Sequence, residues 1–432
     1  MSRRSFLRLA GLAGAAGVVA GCDPRPAGPA AATARAIRIG YVSPQSGALA
    51  AFGEADNYVL ERVRAKVAEG IVVGNRTHPV EIVTADTQSD PDRARQVATD
   101  LVSGRPLDLL LVASTPDTTN PVADVCEGAG VPCISTGAPW ETWWNGRKGD
   151  PAKPFTWTWH FGWGLQDVAA VFTEMWNQVE TNRVVGVLAP GDIEGGAWRD
   201  GTSGVLPAFG RAGFRVVDPG GYENQTDDFR PLIRKLLAAD AQILTGVPQP
   251  PDIATFWKQA SELGYRPRVA TVSKAGLFPS FVDAMVPSAE GLSCEVLWSP
   301  AHPYKSSISD SLAASVAADY TERTGKQWTQ PIGAVSALFE VALDVLDRTG
   351  NVDDRENVLE MVRQTNTGTS LGRVAWGENK TLNPVPNVAR TYLVGGQWRR
   401  GTTFPFDLVV VSNAKLAEVP AAGRPMRAIP AL

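Results

Sequence analysis

Apolar and polar positions follow two alternating rhythms along this chain, and the alternation repeats from residue 37 past residue 270. Short β-branched runs at Ile37–Val42, Glu81–Ala85, Leu107–Ala113, Val131–Ser135, Val184–Leu188, Phe214–Val217, Ala241–Thr245 and Val269–Val272 predict strands. Between them lie amphipathic stretches. After the first strand a Gly-containing turn leads to a helix predicted from about Gly53. Asp90-Pro91 supplies an N-cap with proline at the first helical position. Behind it Ala94, Val97, Ala98, Leu101 and Val102 fall on one helical face. Leu107–Ala113 is nearly all apolar, as a strand covered on both faces requires. Strands separated by helices give βαβ units and parallel sheets. The alternation outlasts one sheet of usual size, and the irregular Trp- and Pro-rich stretch Pro139–Gly164 breaks it midway. The fold class is therefore α/β: two Rossmann-like lobes with a ligand cleft between them, bound by loops that follow the strand ends.

Composition narrows the setting. The 432 residues exceed one hydrophobic core and suit two domains. Ser2-Arg3-Arg4-Ser5-Phe6-Leu7 precedes an apolar run from Leu7 to Ala20 that ends at Gly21-Cys22. This run is short of the ~20 residues of a membrane span and rich in Gly and Ala, so residues 1–21 are expected to be an export signal. The paired arginines resemble a twin-arginine signal, and the small residues before Cys22 resemble a lipoprotein cleavage box with Cys22 as the acylated residue. Residues 22–35, rich in Pro and Ala, are expected to link lipid to body. Net charge is −4, and falls to −7 without Arg3, Arg4 and Arg8 of the signal. An acidic exported chain without basic runs excludes nucleic acid as a natural partner. Export permits a Cys126–Cys133 disulfide; the competing and preferred expectation is that Cys126, Cys133 and Cys294 are small buried apolar residues.

The loops at the expected cleft run Ser43–Phe52, Ser114–Asn120, Thr136–Trp144, Pro190–Trp198, Pro248–Asp252 and Ser273–Leu277. They carry hydroxyls, glycines and aromatics suited to a small polar molecule. Catalytic patterns are missing from the sequence. His78, His160 and His302 show no metal spacing and are expected at surface or packing positions, and neither a Gly-x-Ser-x-Gly elbow nor a Gly-Lys-Ser/Thr phosphate loop occurs. Asp192 and Glu194 could form a glycosidase pair, but two acids in a turn are expected to be solvated. Binding without turnover follows, with no metal or cofactor.

Several segments in order resemble the periplasmic-binding-protein-like receptors of ABC importers, in the branched-chain amino-acid and amide (leucine-binding protein) group. They are Ile37–Gly47, Ala51-Phe52-Gly53, Asp86–Pro91, Pro121–Asp124, Gly130-Val131-Pro132, Ile134-Ser135-Thr136, Thr226–Phe229 and Gly372-x-Val374-x-Trp376. The resemblance covers Ile37 to about Trp398. It implies a three-crossover hinge, with lobe 1 at 36–161 and 300–372, lobe 2 at 162–299 and 373–412, and a tail at 413–432. It further implies closure on a solute and delivery to a membrane permease by a lipid-anchored monomer.

In amino-acid-binding members the loop after the fourth strand offers amides and a threonine hydroxyl to a carboxylate. Here Thr136-Gly137-Ala138-Pro139-Trp140 carries proline at the matching threonine. A glutamate that holds the ammonium in those members aligns with Lys274, which would instead attract an anion. Trp140, Trp143, Trp144 and Trp198 would offer flat apolar surface, or else pack in the hinge; Lys274 could also simply face solvent. The expected ligand is thus a small organic anion, such as an aromatic or hydrophobic carboxylate. Its contacts would be Phe52, Ser114, Thr115, Thr136, Gly137, Ala138 and Trp140 from one lobe, and Trp198, Gln249 and Lys274 from the other. The alternatives are a branched-chain amino acid or amide, a ligand sensor of the same fold, and an exported α/β hydrolase.

Overall fold

A computed structural model describes residues 34–285, 289–376 and 383–430; the expected signal and Cys22 lie outside them. Five strands come in sequence: β1 (Ile37–Ser43), β2 (Val80–Asp86), β3 (Leu109–Ala113), β4 (Cys133–Thr136) and β5 (Thr158–Gly162). Five more follow: β6 (Val184–Leu188), β7 (Arg215–Val217), β8 (Ile243–Gly246), β9 (Val269–Val272) and β10 (Ser293–Val296). The chain closes with β11 (Val388–Arg390), β12 (Val394–Arg400) and β13 (Phe406–Ser412). The first sheet runs β11-β5-β4-β3-β1-β2, wholly parallel. The second runs β13-β12-β10-β9-β8-β6-β7, parallel except that β12 pairs antiparallel with both β10 and the edge strand β13. Both are doubly wound sheets, and the apolar runs became their doubly covered central strands: β3, β6 and β8 are buried at every residue.

Local signals worked as their chemistry requires. Asp90 caps its helix by accepting from Arg93 N–H at 2.7 Å, and Pro91 opens it. The helix expected from Gly53 begins instead at Asp56, after a single 3₁₀ turn over Ala50–Gly53. Strand β5 was hidden inside the Trp- and Pro-rich interruption, so the passage to the second sheet comes at that stretch's end, near Trp163-Gly164. There the helix Leu165–Trp176 packs on β10, β12 and β13.

The return passages fall at Leu297-Trp298 and at Thr391–Leu393. Of the stretch 373–412 expected in the second lobe, β12 and β13 lie in the second sheet, whereas Val388–Arg390 is corrected to the first, since β11 pairs with β5, Val388 opposite His160. Trp376 Nε1 donates to His160 O at 3.0 Å and Asn387 Nδ2 to Thr158 O at 3.0 Å, which holds this segment on the first lobe. Gly372–Ala375 forms a two-stranded hairpin with Asn366–Thr369. The tail is not loose: Met426 N–H bonds Gln178, Arg427 N–H bonds Gln397, and Ile429 N–H bonds Arg268 O on the second lobe. Cys126, Cys133 and Cys294 are free and buried, so no Cys126–Cys133 disulfide is present.

The long helix Pro331–Arg348 packs on β3 and β4, and its start grips the second passage. A Cβ on Gly333 would lie 2.1 Å from the ring of Trp298, itself 1 % exposed. Gly333→Ala is expected to cost about 1–3 kcal/mol by overpacking, measured by urea unfolding.

Candidate functional site

The carboxyl ends of both sheets face one cleft, as doubly wound sheets dictate. The first lobe contributes Phe52, Ala113, Ser114 and Gly137, with Pro331, Ala334 and Val335 from the long helix. Leu277, Phe278 and Glu295 face them from the second lobe, and Trp163 and Leu297 line the cleft from the passages. Its cavity volume is about 30 Å³, well under the ~300–1,000 Å³ of small-molecule sites, so the lobes must part to admit a solute. Phe52 meets Phe278 edge-on across the gap, ring centroids 4.8 Å apart. Gly137 sits at φ +95°, and a Cβ there would press Ser114 N and O at 3.1 Å. Only glycine brings that loop against the end of β3 without strain.

The walls are apolar but carry orphaned polar atoms. Ser114 Oγ, Trp163 Nε1 and Glu295 Oε2 are buried without a partner. The other oxygen of Glu295 accepts from Ser273 Oγ at 2.5 Å. Burial pushes the Glu295 carboxyl up to about 7, against the lowering effect of that hydroxyl.

Beside the cleft lies a buried ionic cluster. Lys274 stands at the end of β9 with φ +58°, a left-handed backbone that costs a non-glycine residue about 1 kcal/mol. Its Nζ is 3.0 Å from Glu194 and 3.4 Å from Asp192. Asp192 caps the helix Ile193–Arg199 by accepting from Gly195 N–H at 2.8 Å, and accepts from Asn224 Nδ2 at 3.1 Å. Burial alone would raise the Asp192 pKa, but Lys274 and these donors bring it below the ordinary carboxylate value. Glu194 is carried the other way: burial pushes it up to about 7 despite Lys274. Burial works against the Lys274 ammonium, yet Glu194, Asp192 and Asp117 hold its pKa above the usual lysine value. Asp117, across the cleft, and Asp252 both feel Lys274 and Asp192, and one oxygen of each is buried without a partner.

The expected site residues divide accordingly. Phe52, Ser114 and Gly137 line the cleft. Thr115 Oγ1 is buried and unpartnered beside Ser114, and Gln249 Oε1 is buried and unpartnered ahead of the helix Pro250–Glu262. Thr136 is spent on structure: its hydroxyl donates to Phe161 O at 2.8 Å. Ala138 is fully buried and its carbonyl faces His160 Nε2 at 3.0 Å. Trp140 is half-buried beside Gly164, with Nε1 unpartnered.

Four expectations are corrected. Trp198 is fully buried in the second lobe's core against Phe172 and Phe209, because its helix turns that face inward. Trp143 stacks on His160 under Arg147, with Trp144 beside it, and neither forms a ligand wall. Asp192 and Glu194 are buried instead of solvated. Lys274 therefore offers no free charge to an anion. His78, His160 and His302 are all buried, at packing and not surface positions. Glu295, Phe278 and Trp163 were missed. The signal for Glu295 was an acid inside the otherwise apolar run Leu292–Trp298.

Two facing α/β sheets linked by three passages around a lined cleft define a two-lobed binding protein. The sequence profile described as "Periplasmic binding protein" matches residues 36–390, and the chain belongs to that family. Solved structures agree in fold. A leucine binding protein from Thermotoga maritima is 19% identical, covers 88% of this chain and 99% of its own, and superposes with a TM-score of 0.68. A branched-chain amino acid transporter substrate binding protein from Streptococcus pneumoniae, in complex with isoleucine, is 14% identical over 87% of this chain and 99% of its own, TM-score 0.65. A solute binding protein of an ABC transporter from Rhodopseudomonas palustris, in complex with 3,4-dihydroxy benzoic acid, is also 14% identical, over 87% and 96%, TM-score 0.65. No curated protein matches. Among the described residues no helix is long and apolar enough to cross a membrane.

Proposed function

We propose that this protein is the extracytoplasmic solute receptor of an ABC importer, closing its lobes on one small molecule and presenting it to a permease. The observation that carries this is the cleft itself: strand-end loops of both sheets converge on an apolar space whose polar atoms, Ser114 Oγ, Trp163 Nε1 and Glu295 Oε2, lack partners within the protein. A molecule touching both lobes favours the closed form by the contacts it makes only there. The reading includes an acylated Cys22 and action as a monomer. Turnover is no part of this reading.

The anionic solute loses its main support here. Lys274, which was to receive it, is already held by two carboxylates. The isoleucine and 3,4-dihydroxy benzoic acid of the two relatives, at 14% identity, carry no ligand across to this cleft.

A thermal-shift screen of small solutes tests receptor function. A ligand present at 100 times its Kd should stabilise the protein by about 2.7 kcal/mol. Substituting Gly137→Val, which fills the approach of that loop to Ser114, should abolish the shift. A solute that still stabilises Gly137→Val binds elsewhere.

A further inference from the structure

Among the described residues, the cleft lining contains one charged side chain, Glu295, and neither lysine nor arginine. Glu295 is 2 % exposed, with Oε1 taken by Ser273 and Oε2 unpartnered. A buried carboxylate oxygen without a donor is costly, and a ligand that brings a donor removes that cost. Around it the surfaces are Phe52, Phe278, Trp163, Leu277, Leu297 and Val335, which suit an apolar body and can face a cation with their rings.

The charges behind the lining have the same sign. Glu194 lies close enough for its charge to act on Glu295, and Asp117, Asp192 and Asp252 share the single ammonium of Lys274. A carboxylate ligand would enter a space where acids outnumber the one cation, itself already paired. A cation would enter a space with an unmet acceptor.

We propose that the solute is an apolar amine bound in its ammonium form, its N–H donating to Glu295 Oε2 and its hydrophobic body lying against the rings of Phe52, Phe278 and Trp163. This rests on the receptor reading above and names its substrate class. Ser114 Oγ takes a second ammonium hydrogen, and no group in the lining is free to neutralise a carboxylate on the same molecule.

The test uses matched sets sharing one apolar body: phenethylamine, 3-phenylpropionate and phenylalanine, with isopentylamine, 4-methylpentanoate and leucine beside them. Binding is measured by calorimetry on the mature chain. The amines should bind, and the acids and amino acids at least tenfold more weakly. Glu295→Gln should lose at least tenfold in amine affinity while still folding, as checked by circular dichroism. Where that variant fails to fold, the wild type answers instead. Its amine affinity should rise at least tenfold from pH 5.5 to pH 8 as Glu295, facing Ser273 and Glu194, ionises; Glu194 ionises over the same range and acts in the same direction. Binding of the acids or amino acids in preference to the amines overturns the substrate class and leaves the receptor reading standing. Amine affinity that is unchanged by Glu295→Gln or by pH overturns the ion pair. Absence of binding in every set counts against both.

Discussion

Lys274→Met should destabilise the protein by about 3–5 kcal/mol, the range for breaking a buried ion pair from one side. Asp192 and Glu194 would keep their burial, at 8% and 9% side-chain exposure, and lose the ammonium that faces both. Asp192 retains its bonds from Gly195 N–H and Asn224, so it stays charged more easily. Glu194, already raised to about 7 by burial, would take up a proton and recover part of the loss. The deficit should therefore be larger at pH 8 than at pH 5.5. Lys274→Met combined with Glu194→Gln should regain at least about 1 kcal/mol over the single variant, as coupled neighbours do. Urea unfolding at both pH values reads all three proteins. A single variant within about 1 kcal/mol of wild type at pH 8 would mean that Lys274 behaves as a surface lysine.

The sheets were legible because central parallel strands are continuous apolar runs, and β6 and β9 occupy the residues their sequences predict. Strand β5 was obscured for a physical reason. Thr158, Trp159, His160 and Phe161 alternate without a β-branched apolar run, and the burial of His160 depends on Ser135 and Trp143, which only the fold brings near. Strand β11 was likewise lost: three residues, Val388–Arg390, earn a place in the first sheet through Asn387 and the β5 edge. At the site, sequence placed the loops correctly and misjudged the directions of their side chains. Phe52, Ser114 and Gly137 followed from strand ends alone. Trp198 could not, since a tryptophan in a cleft loop looks the same whether its helix turns it to the gap or to Phe209. The pairing of Lys274 was hidden for a related reason. A lysine's charge is visible in sequence, whereas two carboxylates within 3.4 Å of it are visible only in space.

Stability should peak near pH 4 and decline toward pH 8, opposite to what a chain rich in ordinary salt bridges would show. Several buried carboxyls, Glu340 and Asp117 among them, sit above their ordinary values because burial disfavours their charge. Glu141 is raised to about 8, Glu194 and Glu295 to about 7, and Asp252 and Asp56 to about 6. A carboxyl whose folded pKa is raised binds its proton more tightly in the native state. Its contribution is complete below the unfolded value near 4 and is lost as pH climbs through the folded value. For these groups the loss spans about pH 4 to 8. Asp86, Asp192 and Asp218 are lowered and work the other way, their contribution disappearing as pH falls below about 4. His160 and His302, which burial holds down to about 3 and about 4, add stability as pH rises to about 6.5 and blunt the decline up to that point. At about 1.4 kcal/mol per pH unit of displacement, and with the cleft acids sharing one lysine, the fall from pH 5 to 8 should be on the order of 3–6 kcal/mol. Glu141→Gln isolates one part, because an amide oxygen still accepts from Leu165 N–H, where the carboxylate bonds at 2.9 Å and 3.0 Å, and does not ionise. That variant should flatten the upper end of the curve, between pH 7 and 8. Urea unfolding at half-unit steps provides the measurement, and stability that climbs steadily from pH 5 to 8 would show these carboxyls to be charged in the folded protein throughout.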